Sequence, residues 1–333
     1  MTFHGKAAAA SLFALALAVP ADAGYGDALR AEGSPSTESA AADAQPAGAP
    51  LYPDLPLEKL QKTVPSLAGA RPATNQDRLQ SILDRMAGTI ADFLPRLPDL
   101  ISREDASREE EASAAAPEQI TSLTRPGTGP LNPTTITARA GSGLEYQYLI
   151  LCHHAPNGAT SLEEVRTDLK GHPVSAKHSA IPLGSGFAYQ WLLFGSANQA
   201  EFRFSLLGEQ RVEDHETYVL AFAQIPAQVK FPAVFQSAGK SAPYFYQGII
   251  WVDQPTSNIV ALRSDIQAPL TQPRLDRLTT ELRFRSVEIN DLNQSLWLPG
   301  DVHLTIDQGT VVIHESHRYS NYHLYHSTAR IIP

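Results

Sequence analysis

Apolar and polar residues alternate in short runs along the second half of the chain, from Leu144 onward. A period of two places the apolar side chains of each run on one face of a β-strand. Roughly nine such runs, separated by turn signals, predict an antiparallel sheet or open barrel. The clearest sets, each on one predicted strand face, are Phe202, Phe204 and Leu206; Tyr218, Leu220 and Phe222; Leu282 and Phe284; and Val302, Leu304 and Ile306.

Turn signals join several of these runs into predicted hairpins. Asn157 and Gly158 lie between LEYQYLILC and SLEEVRTDL, and a polar turn at residues 254–257 lies between QGIIWVD and NIVALRSDI. The tripeptide at residues 184–186, Gly-Ser-Gly, indicates a flexible turn. The segment FAYQWLLF at residues 187–194 fits a strand or a helix equally well, and both interpretations stay open.

An amphipathic helix is predicted before the sheet. Its apolar residues recur with helical spacing, Thr74 or Asn75 can cap it, and Pro95 ends it. The apolar stripe consists of Leu79, Ile82, Leu83, Met86, Ile90 and Phe93. A helix of roughly 19 residues is about 28 Å long and covers only part of a large sheet. The remaining apolar face needs curvature, a covering loop or a ligand.

The N-terminal quarter of the chain carries targeting and low-complexity signals. Residues 1–23 predict a signal peptide, with Lys6 before an apolar core and a cleavage site at Ala21-Asp22-Ala23. Residues 24–74, rich in Ala and Pro, predict a disordered tether. Residues 75–333 then form the folded domain. The charged run at residues 103–111 predicts a solvated helix end and a loop.

Composition narrows the partners and the compartment. The 333 residues carry a net charge of −9 and show no basic face, which argues against a nucleic-acid partner. The signal peptide predicts a periplasmic or secreted protein without a transmembrane segment after cleavage. The single cysteine, Cys152, allows no internal disulfide and is most simply a buried small hydrophobe.

No arrangement in the sequence predicts an enzyme, a metal site or a cofactor. A histidine set near the C-terminus is the strongest candidate for a metal site, but strand residues three apart point to opposite faces and cannot easily share a metal. Only His317 and His323 could meet, across a bend, and solvent-facing or cross-strand histidines are the favoured interpretation. No G-x-S-x-G elbow is present, and the neighbours Glu163 and Glu164 face opposite ways on a strand. The histidines of this set are His314, His317, His323 and His326.

Two charged pairs and one tryptophan remain as candidate features. Arg166 with Asp168, and Arg263 with Asp265, share strand faces and predict cross-strand ion pairs on the wet face, or contacts to a charged headgroup. Trp251 lies in an apolar strand, where it either packs in the core or lines an apolar cleft.

The strand pattern resembles the LolA/LolB-like superfamily, the outer-membrane lipoprotein carriers. The matching segments are FRF (202–204), LGEQ (207–210), YVLAF (218–222), GIIWVD (248–253) and IVALR (259–263). Within this pattern the chain most closely resembles uncharacterised secreted proteins of Acidobacteria-like bacteria, which share LEYQY, LEEVRTD and a helix before the sheet. The resemblance implies a curved antiparallel half-barrel wrapped on an N-terminal amphipathic helix, with lipid or lipoprotein acyl chains held in its concave face. The long tether and the single helix depart from the carriers.

The resulting prediction is a mainly β, exported, non-enzymatic protein that binds a lipid or acyl chain in the concave face. The alternative is a structural or interaction module whose concavity is filled by its own helix and which contacts an envelope protein partner. A pocket of roughly 300 Å³ or more favours the first prediction, and a filled core favours the second. The predicted ligand-lining residues are Phe204, Leu220, Phe222, Trp251, Leu282, Phe284 and Leu304.

Overall fold

The structure is a computed structural model and describes most of the chain from residue 50 onward. The described ranges are residues 50–112, 143–154, 160–174 and 183–325, apart from residues 185, 189, 238, 290, 291 and 293. The predicted signal peptide, residues 24–49 of the predicted tether, the turn at Asn157-Gly158 and His326 therefore lie outside the described residues.

The described chain is dominated by β-strands. In chain order the helices and strands are α1 Leu57–Leu60, β1 Arg71–Pro72, α2 Leu79–Phe93, β2 Leu100–Ala112, β3 Leu144–His154, β4 Thr160–Thr167, β5 Phe202–Val212, β6 His215–Gln224, β7 Ala233–Ser237, β8 Lys240–Tyr244, β9 Tyr246–Asp253, β10 Ile259–Ile266, β11 Leu270–Thr271, β12 Arg274–Leu275, β13 Arg277–Ile289, β14 Gln294–Asp307 and β15 Val311–Leu324. Short 3₁₀ turns lie at Tyr52–Asp54, Pro65–Leu67, Leu94–Arg96, Gln190–Phe194 and Gln199–Glu201.

Eleven of the strands form one sheet in the order β1-β5-β6-β9-β10-β13-β14-β15-β2-β3-β4, with antiparallel neighbours throughout. Hairpins β7–β8 and β11–β12 stand apart from it. The predicted pairing of the two strands around residues 254–257 is confirmed, as is the return of β4 onto β3. The prediction of a mainly β fold, with a curved antiparallel sheet and one amphipathic helix, is confirmed.

Helix α2 packs on one side of this sheet, which we call the inner face. Its buried residues Ile82, Leu83, Met86 and Ile90 join the largest apolar cluster among the described residues. The helix begins at Leu79, and neither Thr74 nor Asn75 caps it. The reason is that Gln76, just upstream, is tied to β5: its amide exchanges two hydrogen bonds of 2.8 Å with the backbone of Leu206.

The charged run at residues 103–111 is a strand, so the prediction of a helix end and loop there is wrong. These residues belong to β2, which pairs with β3 and β15. Alternate residues of β2 point to the inner face, and two of them, Glu104 and Arg108, are charged and buried. They tolerate burial because oppositely charged side chains meet them there.

Residues 50–72 form an ordered strap on the opposite side, which we call the outer face. The prediction of a disordered tether is therefore wrong for residues 50–72. Leu57, Leu60, Val64 and Leu67 are buried against outer-face residues of the central strands, and β1 pairs with β5. The four apolar residues recur every three or four positions, a stripe that supplies enough burial to order a Pro-containing segment.

Candidate functional site

Six of the seven predicted ligand-lining residues come together on the inner face. They belong to the same apolar cluster as α2, and all are buried except Phe204, which is partly exposed. Cross-strand pairing places them side by side, since Phe204 opposes Phe222 on β5 and β6. The six residues are Phe204, Leu220, Phe222, Leu282, Phe284 and Leu304.

Trp251 lies on the outer face, so its assignment to the same concavity is wrong. It pairs with Val219 and packs under the strap, while its neighbours Ile250 and Val252 face inward. Its indole N–H donates a 2.8 Å hydrogen bond to the side chain of Gln210. All eight residues of β9 are buried because both faces of this strand are covered, which removes the alternation that would have separated the two faces.

A short 3₁₀ turn at Gln190–Phe194, which we call the plug, fills the space beside α2. All four of its apolar residues are buried. The Phe194 ring lies 5.0 Å from the ring of Phe222 and 5.6 Å from that of Phe202, measured between centroids. The Trp191 ring lies 5.8 Å from that of Phe284. The plug therefore covers the predicted liners with side chains of the protein itself.

A cavity of about 30 Å³ remains between the plug, the end of α2 and the β9–β10 turn. It has room for a water molecule but not for a lipid chain. The indole N–H of Trp191, one of its lining residues, finds no hydrogen-bond partner among the described residues. The lining residues are Thr89, Ile90, Phe93, Trp191, Ser257, Asn258, Ile259, Phe284 and Trp297.

Next to the apolar residues of the inner face, β2, β4 and β15 carry six ionisable side chains, which we call the charge cluster. Within it, the Glu104 carboxylate accepts hydrogen bonds from Arg166, at 2.6 Å from Nη2, and from His317 Nδ1 at 2.8 Å. Tyr319 donates a further bond of 3.1 Å to Glu104. Its members are Glu104, Arg108, Glu164, Arg166, Glu315 and His317.

The other half of the charge cluster centres on Glu315. Its carboxylate accepts a 3.0 Å hydrogen bond from Arg108 Nη1, while Arg108 also binds Glu110. The Nε2 atom of His317 lies 3.6 Å from Glu315, longer than a hydrogen bond. The side chains of Glu104, Glu315 and His317 are fully buried, so the charges must be matched within the cluster.

The pKa values of the charge cluster follow from this matching. Burial alone disfavours the ionised form of Glu104, but Arg166 and the hydrogen bond from His317 lower its pKa to about 2. Burial also disfavours the imidazolium of His317, yet Glu104 and Glu315 on either side raise the pKa of this histidine. For Glu164, loss of solvent outweighs its hydrogen bonds and raises the pKa.

The residues before the plug are held by the carboxylates of this cluster. The N–H of Gly184 donates to Glu315 Oε2 at 2.7 Å. The N–H groups of Gly186 and Ala188 donate to the two oxygens of Glu164 at 2.7 and 2.6 Å. Gly184 and Gly186 thus each donate an N–H to a buried carboxylate, a role that the sequence alone does not reveal.

Of the two charged pairs noted in the sequence, one forms in the structure and the other does not. Arg263 does bind Asp265, at 2.9 and 3.0 Å, and also Glu281 on the neighbouring strand. Arg166 faces the buried Glu104 instead of the wet face, and Asp168 pairs with exposed His172. The sequence signal for this is weak, since Leu162 is the one apolar residue of β4 on the strand face that Glu164 and Arg166 share.

The histidines near the C-terminus separate as strand geometry requires. His317 is buried in the charge cluster, whereas His314 is exposed and contacts Glu111. Within the described ranges, no group of three His, Cys, Asp or Glu side chains is arranged to hold a metal ion. The same residues include no helix long and apolar enough to cross a membrane.

Comparison with known proteins gives distant structural likenesses alone. No family model matches the chain, and no curated protein sequence does. One similar solved structure is a DUF1329 family protein from Desulfovibrio piger, with 12% identity and a TM-score of 0.36 over 76% of this chain and 95% of that one.

Two further structures carry the names that the strand pattern suggested. A LolA superfamily protein from Nitrosomonas europaea has 12% identity and a TM-score of 0.30, covering 75% of this chain and 94% of that one. A Vibrio parahaemolyticus protein described as an outer membrane lipoprotein-sorting protein domain has 13% identity and a TM-score of 0.35, covering 73% and 92%. These structures do not support the finer resemblance to proteins of Acidobacteria-like bacteria. At such TM-scores they carry no argument about function, which rests on the chain's own residues.

Proposed function

We propose that the protein is exported to the periplasm or beyond and binds a lipid, or an acyl chain of a lipoprotein, on the inner face. The observation that carries the proposal is the plug, in which one five-residue turn lays four apolar side chains on the sheet. Short 3₁₀ turns are weakly stabilised by their own hydrogen bonds, so such a turn can leave the sheet without unfolding it. The plug then occupies the place that the ligand takes.

Replacing the plug by a ligand exposes the apolar side chains of the plug to water and buries the apolar chain of the ligand, so the two free energies can be compared. Returning Trp191, Leu192, Leu193 and Phe194 to water costs about 6–12 kcal/mol, at about 1.5–3 kcal/mol for each side chain. Burying an alkyl chain gains about 0.8 kcal/mol for each methylene. A chain of roughly 8–15 carbons is therefore needed to displace the plug, and shorter chains should not bind.

A structural or interaction module is the second candidate, and the small cavity favours it. Ligand pockets usually measure about 300–1,000 Å³, far more than the space left beside the plug. In this account α2 and the plug are permanent parts of the core. An envelope protein partner then binds the outer face or a sheet edge, and no alkyl chain binds at all.

The two candidates are separated by chain-length dependence. Residues 24–333 are incubated with saturated fatty acids of about 6 to about 18 carbons, a range that brackets the estimate, and bound ligand is counted by native mass spectrometry. The proposal expects one bound chain above a threshold length and none below it. Absence of binding at every length contradicts ligand binding and supports the module.

Variants of the plug locate the bound chain. Phe194→Ala removes part of the apolar surface that the ligand must displace, so the threshold should fall by about two to four carbons. Trp251→Phe is the matched control, since it alters an aromatic residue on the outer face and should leave the threshold unchanged. Equal thresholds in the wild type and a folded Phe194→Ala variant contradict binding beneath the plug.

A further inference from the structure

The charge cluster borders the plug through one short stretch of chain. Residues 183–188 lead directly into the plug, and three of their N–H groups, those of Gly184, Gly186 and Ala188, end on carboxylates. None of the residues that the structure describes in this stretch belongs to a strand. Carboxylate oxygens of side chains on β4 and β15 therefore accept the backbone N–H groups of this stretch, as the carbonyl oxygens of a neighbouring strand do elsewhere in the sheet.

We propose that Glu164 and Glu315 latch the plug, holding Gly184, Gly186 and Ala188 against the sheet so that the inner face opens only when their hydrogen bonds break. The proposal rests on the proposed function in one respect, namely that opening admits an apolar chain. It adds the residues that set how readily this opening occurs.

The strength of the latch comes from charge. Hydrogen bonds to an ionised acceptor are shorter and roughly twice as strong as those between neutral groups, and the three distances of 2.6–2.7 Å fit this class. A fourth contact helps, since Arg166 Nη2 donates to the carbonyl oxygen of Gly184 at 3.1 Å. Phe187 packs its ring 5.0 Å from that of His317 and seals the same stretch.

The two carboxylates differ in what else depends on them. Glu315 also neutralises Arg108, so changing it disturbs a buried ion pair as well as the latch. Glu164 accepts two N–H groups of the stretch, and its charge is opposed by burial, which raises its pKa. Glu164 is therefore the residue whose substitution tests the latch with least damage to the fold.

Two variants loosen the latch by independent routes. Glu164→Gln keeps the side-chain shape and one carbonyl oxygen but removes the charge and the second acceptor. Gly184→Ala places a Cβ 2.9 Å from Leu304 Cδ2 and 3.2 Å from Glu315 Oε2, which pushes the stretch away from its seat. Glu163→Gln is the matched control, because that carboxylate lies next to Glu164 on β4 but is exposed and contacts His153.

Amide hydrogen exchange of a peptide spanning residues 183–195 measures opening without any ligand. We expect exchange there to quicken by about tenfold or more in Glu164→Gln and Gly184→Ala, with protection of the sheet strands unchanged. Glu163→Gln should match the wild type. Wild-type exchange in both folded latch variants overturns the proposal, and so does faster exchange spread equally over the whole sheet.

Uptake of a long-chain fatty acid then separates the two proposals. If both hold, the latch variants take up the chain faster than the wild type and Glu163→Gln does not. Faster exchange without uptake in any protein supports the latch and contradicts the lipid-binding function. Uptake at one common rate, with unchanged exchange, supports the function and contradicts the latch.

Discussion

The strap is the part of the structure that departs most from a tether, and replacing Leu60 by Ala tests it. Leu60 is fully buried in the outer-face cluster with Val219, Ala221 and Ile249. Removing a buried leucine side chain loses its transfer free energy and leaves a cavity, which together cost about 2–5 kcal/mol. A comparable change in a solvated tether alters stability by less than about 0.5 kcal/mol.

Urea unfolding, followed by circular dichroism, measures this difference. We expect the midpoint of Leu60→Ala to fall while the slope stays the same, because the strap unfolds with the sheet. Lys62→Ala is the control, since this residue lies in the same segment but is exposed. A midpoint equal to that of the wild type, within the error of the control, would refute the packed strap and restore a tether over residues 50–74.

Three further predictions concern the sheet and its charges. Gly248→Ala should lower the free energy of unfolding in urea by about 3 kcal/mol or more, because the added Cβ would overlap the carbonyl oxygen of Arg263. Gly88→Ala is its control, since Gly88 in α2 has open space around it and the substitution should stabilise by about 0.5–1 kcal/mol. Equal effects of the two substitutions would contradict the close packing at Gly248. The raised pKa of His317 contributes stability that is present below the usual histidine pKa of 6.5 and is lost as the pH rises through the pKa of the folded state. The difference in unfolding free energy between the wild type and His317→Gln should therefore shrink at alkaline pH. A difference that does not depend on pH would contradict this. The lowered pKa of Glu104 contributes stability that is present above pH 4.5 and is lost as the pH falls towards about 2. Acid unfolding of the wild type should therefore begin between these two pH values. Glu104→Gln should lack this loss of stability in acid titrations.

The strands of the inner face could be predicted because one of their faces was apolar and the other polar. On β13 and β14, Leu282 and Leu304 alternate with exposed residues such as Arg283 and His303, so the period of two is plain in the sequence. The same holds for α2, whose apolar stripe faces the sheet. In each case local spacing alone decides which side chains are buried.

The two-sided burial of the central strands could not be predicted in the same way. The middle of β9 is an unbroken apolar run because the strap covers its outer face and the inner-face cluster covers the other. Trp251 could be assigned to its face only with the register of β6 against β9, which pairs it with Val219. That register depends on contacts distant in sequence, and no short pattern encodes it.

The charge cluster was missed for a related reason. Glu104 and Arg108 lie in a run of charged residues that looks solvated, yet they alternate with exposed neighbours on β2. Their partners Arg166 and Glu315 come from β4 and β15, at separations of 62 and 207 residues. A buried charge is stable only when such a partner is present, and a single sequence does not show which distant residue supplies it.

The central claim, that an apolar chain binds beneath the plug, is tested most directly by photocrosslinking. A long-chain fatty acid with a diazirine at its end is bound to residues 24–333 and irradiated, and the labelled peptides are mapped by mass spectrometry. The account predicts saturable labelling on the inner face, at peptides that contain Phe222 or Leu282. Absence of saturable labelling, or labelling confined to the outer face around Trp251, would contradict it.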